Sequence, residues 1–87
     1  MENKYRIIND CLYKLKLSGM PPIEKLRIEL LLIQMKSLLL KDGVEAEARY
    51  KLLSEMRRIC RSSLFEGEEM ADLKERFKEV LSMLESL

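Results

Sequence analysis

PIEKLRIELLLIQMKSLLLK, residues 22–41, is the stretch that decides how this 87-residue chain folds. Placed at ~100° per residue, it reads as a helix with two apolar sides. One stripe is Ile23, Leu26, Leu30, Ile33 and Leu40; the opposite one is Ile28, Leu31, Leu32, Met35, Leu38 and Leu39. Two narrow polar seams separate them, Lys25, Glu29 and Lys36 on one flank and Arg27, Gln34 and Lys41 on the other. Pro22 suits the first helical position, and Glu24 and Lys41 complement the two ends of the helix dipole.

Outward from this helix, Gly19, Gly43 and Gly67 cut the chain into four stretches of nearly equal length. Each carries apolar residues at three-and-four spacing, which predicts four amphipathic helices. The first is expected over residues 3–17, with a stripe of Tyr5, Ile8, Cys11, Leu12 and Leu15. Gly19 suits a left-handed position after it, and Met20-Pro21-Pro22 forces an extended connection. Asp42-Gly43 reads as a tight turn, with Asp42 and Glu45 at capping-box spacing for a third helix over residues 44–61. Val44, Ala48, Leu52, Met56, Ile59 and Cys60 form its apolar side.

The fourth helix, residues 68–87, alternates steps of three and four through Met70, Leu73, Phe77, Val80, Leu84 and Leu87, as heptad core positions do. Asp72 and Arg76 have the spacing of an i,i+4 ion pair. The same series traces back through Ile59, Ser63 and Glu66, so helices three and four have an alternative reading as one long rod. The breaker-rich Ser62-Ser63-Leu64-Phe65-Glu66-Gly67 favours a break, since glycine costs about 1 kcal/mol in a helix interior. The predicted fold is a single all-α domain over residues 1–87, a small antiparallel four-helix bundle of up-down-up-down order. No sequence repeat underlies the equal glycine spacing.

Composition narrows function chiefly by exclusion. Histidine is absent, which removes the commonest general base near neutral pH and every Ser-His or Cys-His nucleophile pair. Two distant cysteines do not complete a zinc site, no calcium-loop spacing occurs, and the glycines are too isolated for a phosphate loop. No enzyme activity, cofactor, metal or small-molecule substrate is therefore expected. Glu66, Glu68, Glu69 and Asp72 cluster at the start of the fourth helix, where carboxylates stabilise the dipole by ~0.3–1 kcal/mol each.

The start of the chain leads directly into a charged amphipathic pattern with no apolar signal-like segment, which predicts an intracellular, reducing, cytoplasmic setting. Cys11 and Cys60 are then buried reduced thiols. The longest apolar runs, Leu30 to Ile33 and Leu38 to Leu40, fall far short of the ~20 residues that cross a bilayer, so no membrane association is expected.

The 16 basic and 15 acidic residues nearly balance, so the chain lacks the global positive field of a nucleic-acid binder. The charge is uneven: residues 1–43 carry +3, residues 44–65 +2 and residues 66–87 −4. Lys51, Arg57, Arg58 and Arg61 form the one cluster suited to a phosphate backbone or an acidic protein partner. They also stand near a helix end that favours cations and just before the acidic segment.

The surplus apolar stripe on the second helix is the strongest functional signal. Six sizeable apolar side chains left in water exceed the patch most monomers tolerate, and burying each contributes ~1.5–3 kcal/mol. Ile28, Leu31, Leu32, Met35, Leu38 and Leu39 are the expected partner-binding residues. The predicted function is a non-catalytic protein–protein interaction module, as a homodimer, an adaptor or a subunit of a larger complex. The alternative is a small nucleic-acid-binding regulator using Lys51, Arg57, Arg58 and Arg61.

Overall fold

The structure, a computed structural model, describes residues 3–41, 43 and 45–87. Among these, four α-helices follow one another with no strand: α1 (Lys4–Leu17), α2 (Pro22–Leu39), α3 (Ala46–Cys60) and α4 (Ala71–Glu85). The chain is a small all-α bundle. Its radius of gyration, 12.4 Å, matches the ~12 Å of a folded domain of this length.

Local chemistry sets the helix boundaries. Asn3 caps α1, its side-chain oxygen accepting the Tyr5 N–H at 2.8 Å. At the other end Ser18 turns into extended backbone, and both its hydroxyl and its N–H donate to the Leu15 carbonyl, at 2.7 and 3.2 Å. That serine ends the helix without a left-handed residue. The left-handed role expected of Gly19 is therefore not needed, and Gly67 is the one positive-φ residue among those described.

Pro22 opens α2 as expected, and the helix stops at Leu39, two residues earlier than predicted. The residue before α3 is Glu45, whose side chain makes no cap hydrogen bond. A capping box needs Glu45 inside the first turn, so that device is not used; Asp42 and Val44 lie outside the described residues.

The break between the third and fourth helices is present. Ser62 ends α3 much as Ser18 ends α1, its hydroxyl and N–H both donating to the Ile59 carbonyl at 2.6 and 3.0 Å. Two short 3-10 turns follow, Ser63–Phe65 and Glu68–Met70, with Gly67 at φ 100° between them. The predicted start of the fourth helix at residue 68 is thus a 3-10 turn that becomes α-helical at Ala71.

The core draws on every helix: Ile8, Cys11 and Leu15 from α1, Ile28, Leu32, Met35 and Leu38 from α2, Leu52, Met56 and Ile59 from α3, and Leu73, Phe77, Val80 and Leu84 from α4. Met20, Phe65 and Met70 plug it from the connections, and the Phe65 and Phe77 rings pack with centroids 5.1 Å apart. No polar or charged residue is buried among those described. Packing alone therefore organises the interior.

α4 packs on α1 and α3, and α2 packs on the same two helices. The Tyr5 hydroxyl donates to the Leu39 carbonyl at 3.3 Å, and Lys25 Nζ to the Lys16 carbonyl at 3.0 Å. These bonds set the start of each of α1 and α2 beside the end of the other. Arg49, near the start of α3, donates to the Leu87 carbonyl beyond α4. Arg76 of α4 reaches α1, its Nε donating to Asp10 Oδ2 at 2.6 Å, and its Nη1 also meets Glu79 at 2.9 Å.

Candidate functional site

α2 keeps both of its apolar stripes, and only one of them is covered. Ile28, Leu32 and Met35 are completely buried by the same chain and Leu38 nearly so, while Leu31 and Leu39 are half-buried against the core. These six residues, expected to meet a partner, are instead the contribution of α2 to the interior. The opposite stripe is the exposed one: Ile23, Leu26, Leu30, Ile33 and Leu40 leave between 47% (Ile33) and 71% (Leu40) of their surface accessible.

The reversal has a physical reason visible in the spacing. The inner stripe contains adjacent pairs, Leu31-Leu32 and Leu38-Leu39, so it spans the wide arc that a helix lays on a globular core. The outer stripe advances in single file and makes only a narrow seam. Equal hydrophobicity hides this difference; width reveals it.

The outer stripe lies between two flanks. On one, Lys25 is tied to the Lys16 carbonyl and Lys36 Nζ donates to Asn9 Oδ1 at 3.0 Å. Here a cleft of about 450 Å³ between α1 and α2 is lined by Leu12, Tyr13, Lys16, Lys25 and Glu29. Tyr13 is itself exposed and adds to the apolar surface. On the other flank, Arg27, Leu30, Leu31 and Gln34 meet Glu55 and Ile59 of α3 around a shallower hollow of about 300 Å³. The face is thus a raised aliphatic seam with polar margins.

The basic cluster does not converge on one patch. Lys51 pairs with Glu47 one turn earlier at 3.2 Å, Arg57 crosses to Glu85 near the end of α4 at 3.0 Å, and Arg58 pairs with Glu55. The Arg58 hydrogen bond holds the Glu55 carboxyl below its ordinary range, helped by the charge of Arg27, and Glu55 in turn pushes the Arg58 guanidinium up. Arg61 is exposed and has no ion pair among the described residues. Three of the four cations therefore turn toward carboxylates of their own chain.

Both cysteines are free thiols. Cys11 is fully buried, and burial, followed by the nearby Asp10 charge, pushes its thiol up to about 12. At neutral pH it is protonated and inert. Cys60 is only half-buried, in contrast to the expected full burial. Glu66, Glu68, Glu69 and Asp72 are all exposed. Among the described residues no three or more Cys, Asp or Glu side chains are grouped to hold a metal ion, and no helix is long and apolar enough to cross a membrane.

No family model matches this sequence, and no curated protein and no solved structure matches it significantly. Any functional reading must therefore come from the side chains themselves.

Proposed function

We propose that the chain is a non-catalytic protein–protein interaction module whose docking face is the outer stripe of α2. One observation carries this reading: Ile23, Leu26, Leu30, Ile33 and Leu40 stand roughly half or more in water along one face, broken only by Ser37. Apolar residues scattered singly over a surface are ordinary, but five large aliphatic side chains exposed along one face, four of them in unbroken succession from Ile23 to Ile33, are the kind of patch that marks interaction sites. The polar margins formed by Lys25, Glu29 and Lys36 on one side and by Arg27 and Gln34 on the other resemble the rim around an interface core. The reading rests on α2 and not on Lys51, Arg57 and Arg58, because those cations are already engaged with Glu47, Glu85 and Glu55. The two unpaired thiols suit a reducing compartment.

Ile33→Glu tests the proposal without touching the core. At protein concentrations dilute enough for both chains to be monomeric, the variant is expected to keep the circular dichroism and urea midpoint of the parent chain while losing most of its binding of a hydrophobic fluorescent dye. Equal dye binding by the two chains would remove the outer stripe as a docking face.

A further inference from the structure

The outer stripe has two properties that docking in general does not require, and both point to a second copy of this chain. The first is its period. Ile23, Leu26, Leu30, Ile33, Ser37 and Leu40 advance by three, four, three, four and three, the a/d series of a two-helix seam. Ser37 is exposed like its neighbours and interrupts the aliphatic line only once. In heptad terms Ile23, Leu30 and Ser37 are a positions, and Leu26, Ile33 and Leu40 are d positions.

The second property is the charge beside the seam. Glu29 and Lys36 occupy successive g positions on one flank, and Arg27 and Gln34 occupy successive e positions on the other. Glu29 is exposed and has no ion pair among the described residues. Lys36 is steadied by Asn9 through one hydrogen bond, which leaves two of its three N–H donors for another acceptor.

Two copies of α2 laid antiparallel about a two-fold axis, with Leu30 of each against Ile33 of the other, bring Ile23 over Leu40 and Leu26 over Ser37. In that register Glu29 of each copy meets Lys36 of the other, giving two symmetric ion pairs. Arg27 faces the neutral Gln34. A parallel pairing leaves Glu29 opposite the neutral Gln34 and gives Lys36 no acidic partner on the other copy. The charge pattern is thus self-complementary in one direction only.

We infer that the chain forms a two-fold symmetric dimer through antiparallel packing of the outer faces of α2. This rests on the reading of that stripe as a docking face and adds the identity of its occupant. A two-fold contact needs one self-complementary patch, which is what the stripe and its flank supply. The seam is one helix long, ~27 Å at 1.5 Å per residue, and so falls at the small end of specific interfaces. The dimer is accordingly reversible.

The test is molar mass by sedimentation across a protein concentration series at low and moderate salt. The parent chain is expected to pass from 10.3 kDa to twice that mass as concentration rises. Ile33→Glu should stay monomeric. Glu29→Lys, a change at an exposed position outside the core, should weaken association about tenfold, and Glu29→Lys combined with Lys36→Glu should restore it.

A parent chain that remains monomeric at every concentration overturns the dimer. If its dye binding still depends on Ile33, the docking-face reading survives with a different occupant. A parent dimer unaffected in a folded Ile33→Glu variant overturns both. A dimer that ignores Glu29→Lys, or a charge swap that fails to restore it, overturns the antiparallel register. Should Ile33→Glu not fold, the two charge variants alone decide the register.

Discussion

α4 and α2 are both rich in large apolar side chains, and they arrange them differently. On α4, Leu73, Phe77, Val80 and Leu84 are buried and Leu81 and Met83 lean on the core; none of the large hydrophobic residues found exposed among the described residues belongs to this helix. On α2, Ile28, Leu32, Met35 and Leu38 are buried while Ile23, Leu26, Leu30 and Ile33 face water. α4 also makes the larger contact with both α1 and α3. The most apolar helix is therefore not the most central one. A helix with one stripe closes a core; a helix with two belongs partly to the fold and partly to whatever covers it.

Core truncation should separate the two faces most sharply. Phe77→Ala on α4 is expected to cost ~3–5 kcal/mol and Leu32→Ala on the inner side of α2 ~2–5 kcal/mol, because each leaves a cavity lined by close-packed neighbours. Leu30→Ala on the outer side should change monomer stability by less than ~0.5 kcal/mol. Urea midpoints measured at low protein concentration check all three, so that self-association does not add to the parent chain. A Leu30→Ala cost approaching that of Leu32→Ala would mean that the outer side of α2 also carries the fold.

The start of α4 supplies the next contrast. Gly67 sits at φ 100° and ψ 152°, a conformation essentially restricted to glycine and costing other residues ~1–3 kcal/mol. A Cβ there would also approach Glu69 Oε1 to 2.9 Å, a contact a flexible side chain can relieve. Gly67→Ala should therefore lower stability by ~1–3 kcal/mol, read as a shift in urea midpoint, while helix content is preserved. α2 starts instead from Pro22, with no such backbone requirement.

Much of this architecture is legible in the residue pattern. The four helices, the break after α3 and the inward faces of α1, α3 and α4 follow from one-sided spacing, because such a helix has only one way to hide its stripe. α2 resisted because its two stripes are chemically alike, and only the doubled Leu31-Leu32 and Leu38-Leu39 marked the inner one. Local rules also misassigned Gly19, since the Ser18 hydroxyl satisfies the Leu15 carbonyl that a left-handed turn would otherwise serve. Arg76 shows the limit of i,i+4 reasoning. Asp72 is the partner that spacing suggests, yet Arg76 bonds Asp10, 66 positions away, which sequence spacing alone cannot anticipate.

That bond distinguishes how the two helices are fastened to α1. α4 is held by Arg76 on Asp10, with Lys14 nearby and Glu79 sharing the guanidinium. α2 is held through uncharged acceptors, by Lys36 on the amide of Asn9, Lys25 on the Lys16 carbonyl and the Tyr5 hydroxyl on the Leu39 carbonyl. The Arg76 hydrogen bond lowers the Asp10 pKa below its ordinary 3.8, against a smaller opposing effect of burial. A lowered carboxylate stabilises the fold above the unfolded value and loses that contribution as pH falls through the folded one. Acid below about pH 4 should thus loosen α4 on α1 while leaving the Lys36–Asn9 bond intact. Asp10→Asn should cost ~1 kcal/mol at neutral pH and flatten the acid limb of the stability curve, measured by thermal unfolding from pH 7 to 3.

The smallest effect concerns the linker into α2. Gly19 has no positive φ, and a Cβ built on it meets nothing within 4 Å. Alanine at such a site restricts the unfolded chain more than the folded one, so Gly19→Ala should raise stability by ~0.4–1 kcal/mol. The opposite signs expected at Gly19 and Gly67 turn on backbone conformation alone, since both glycines precede helices and both are exposed. Ser18→Ala provides the complementary check. Removing the hydroxyl that bonds the Leu15 carbonyl makes the left-handed alternative more valuable, so in that background the gain from Gly19→Ala should shrink. An undiminished gain would mean that the backbone N–H of Ser18, not its side chain, is enough to end α1.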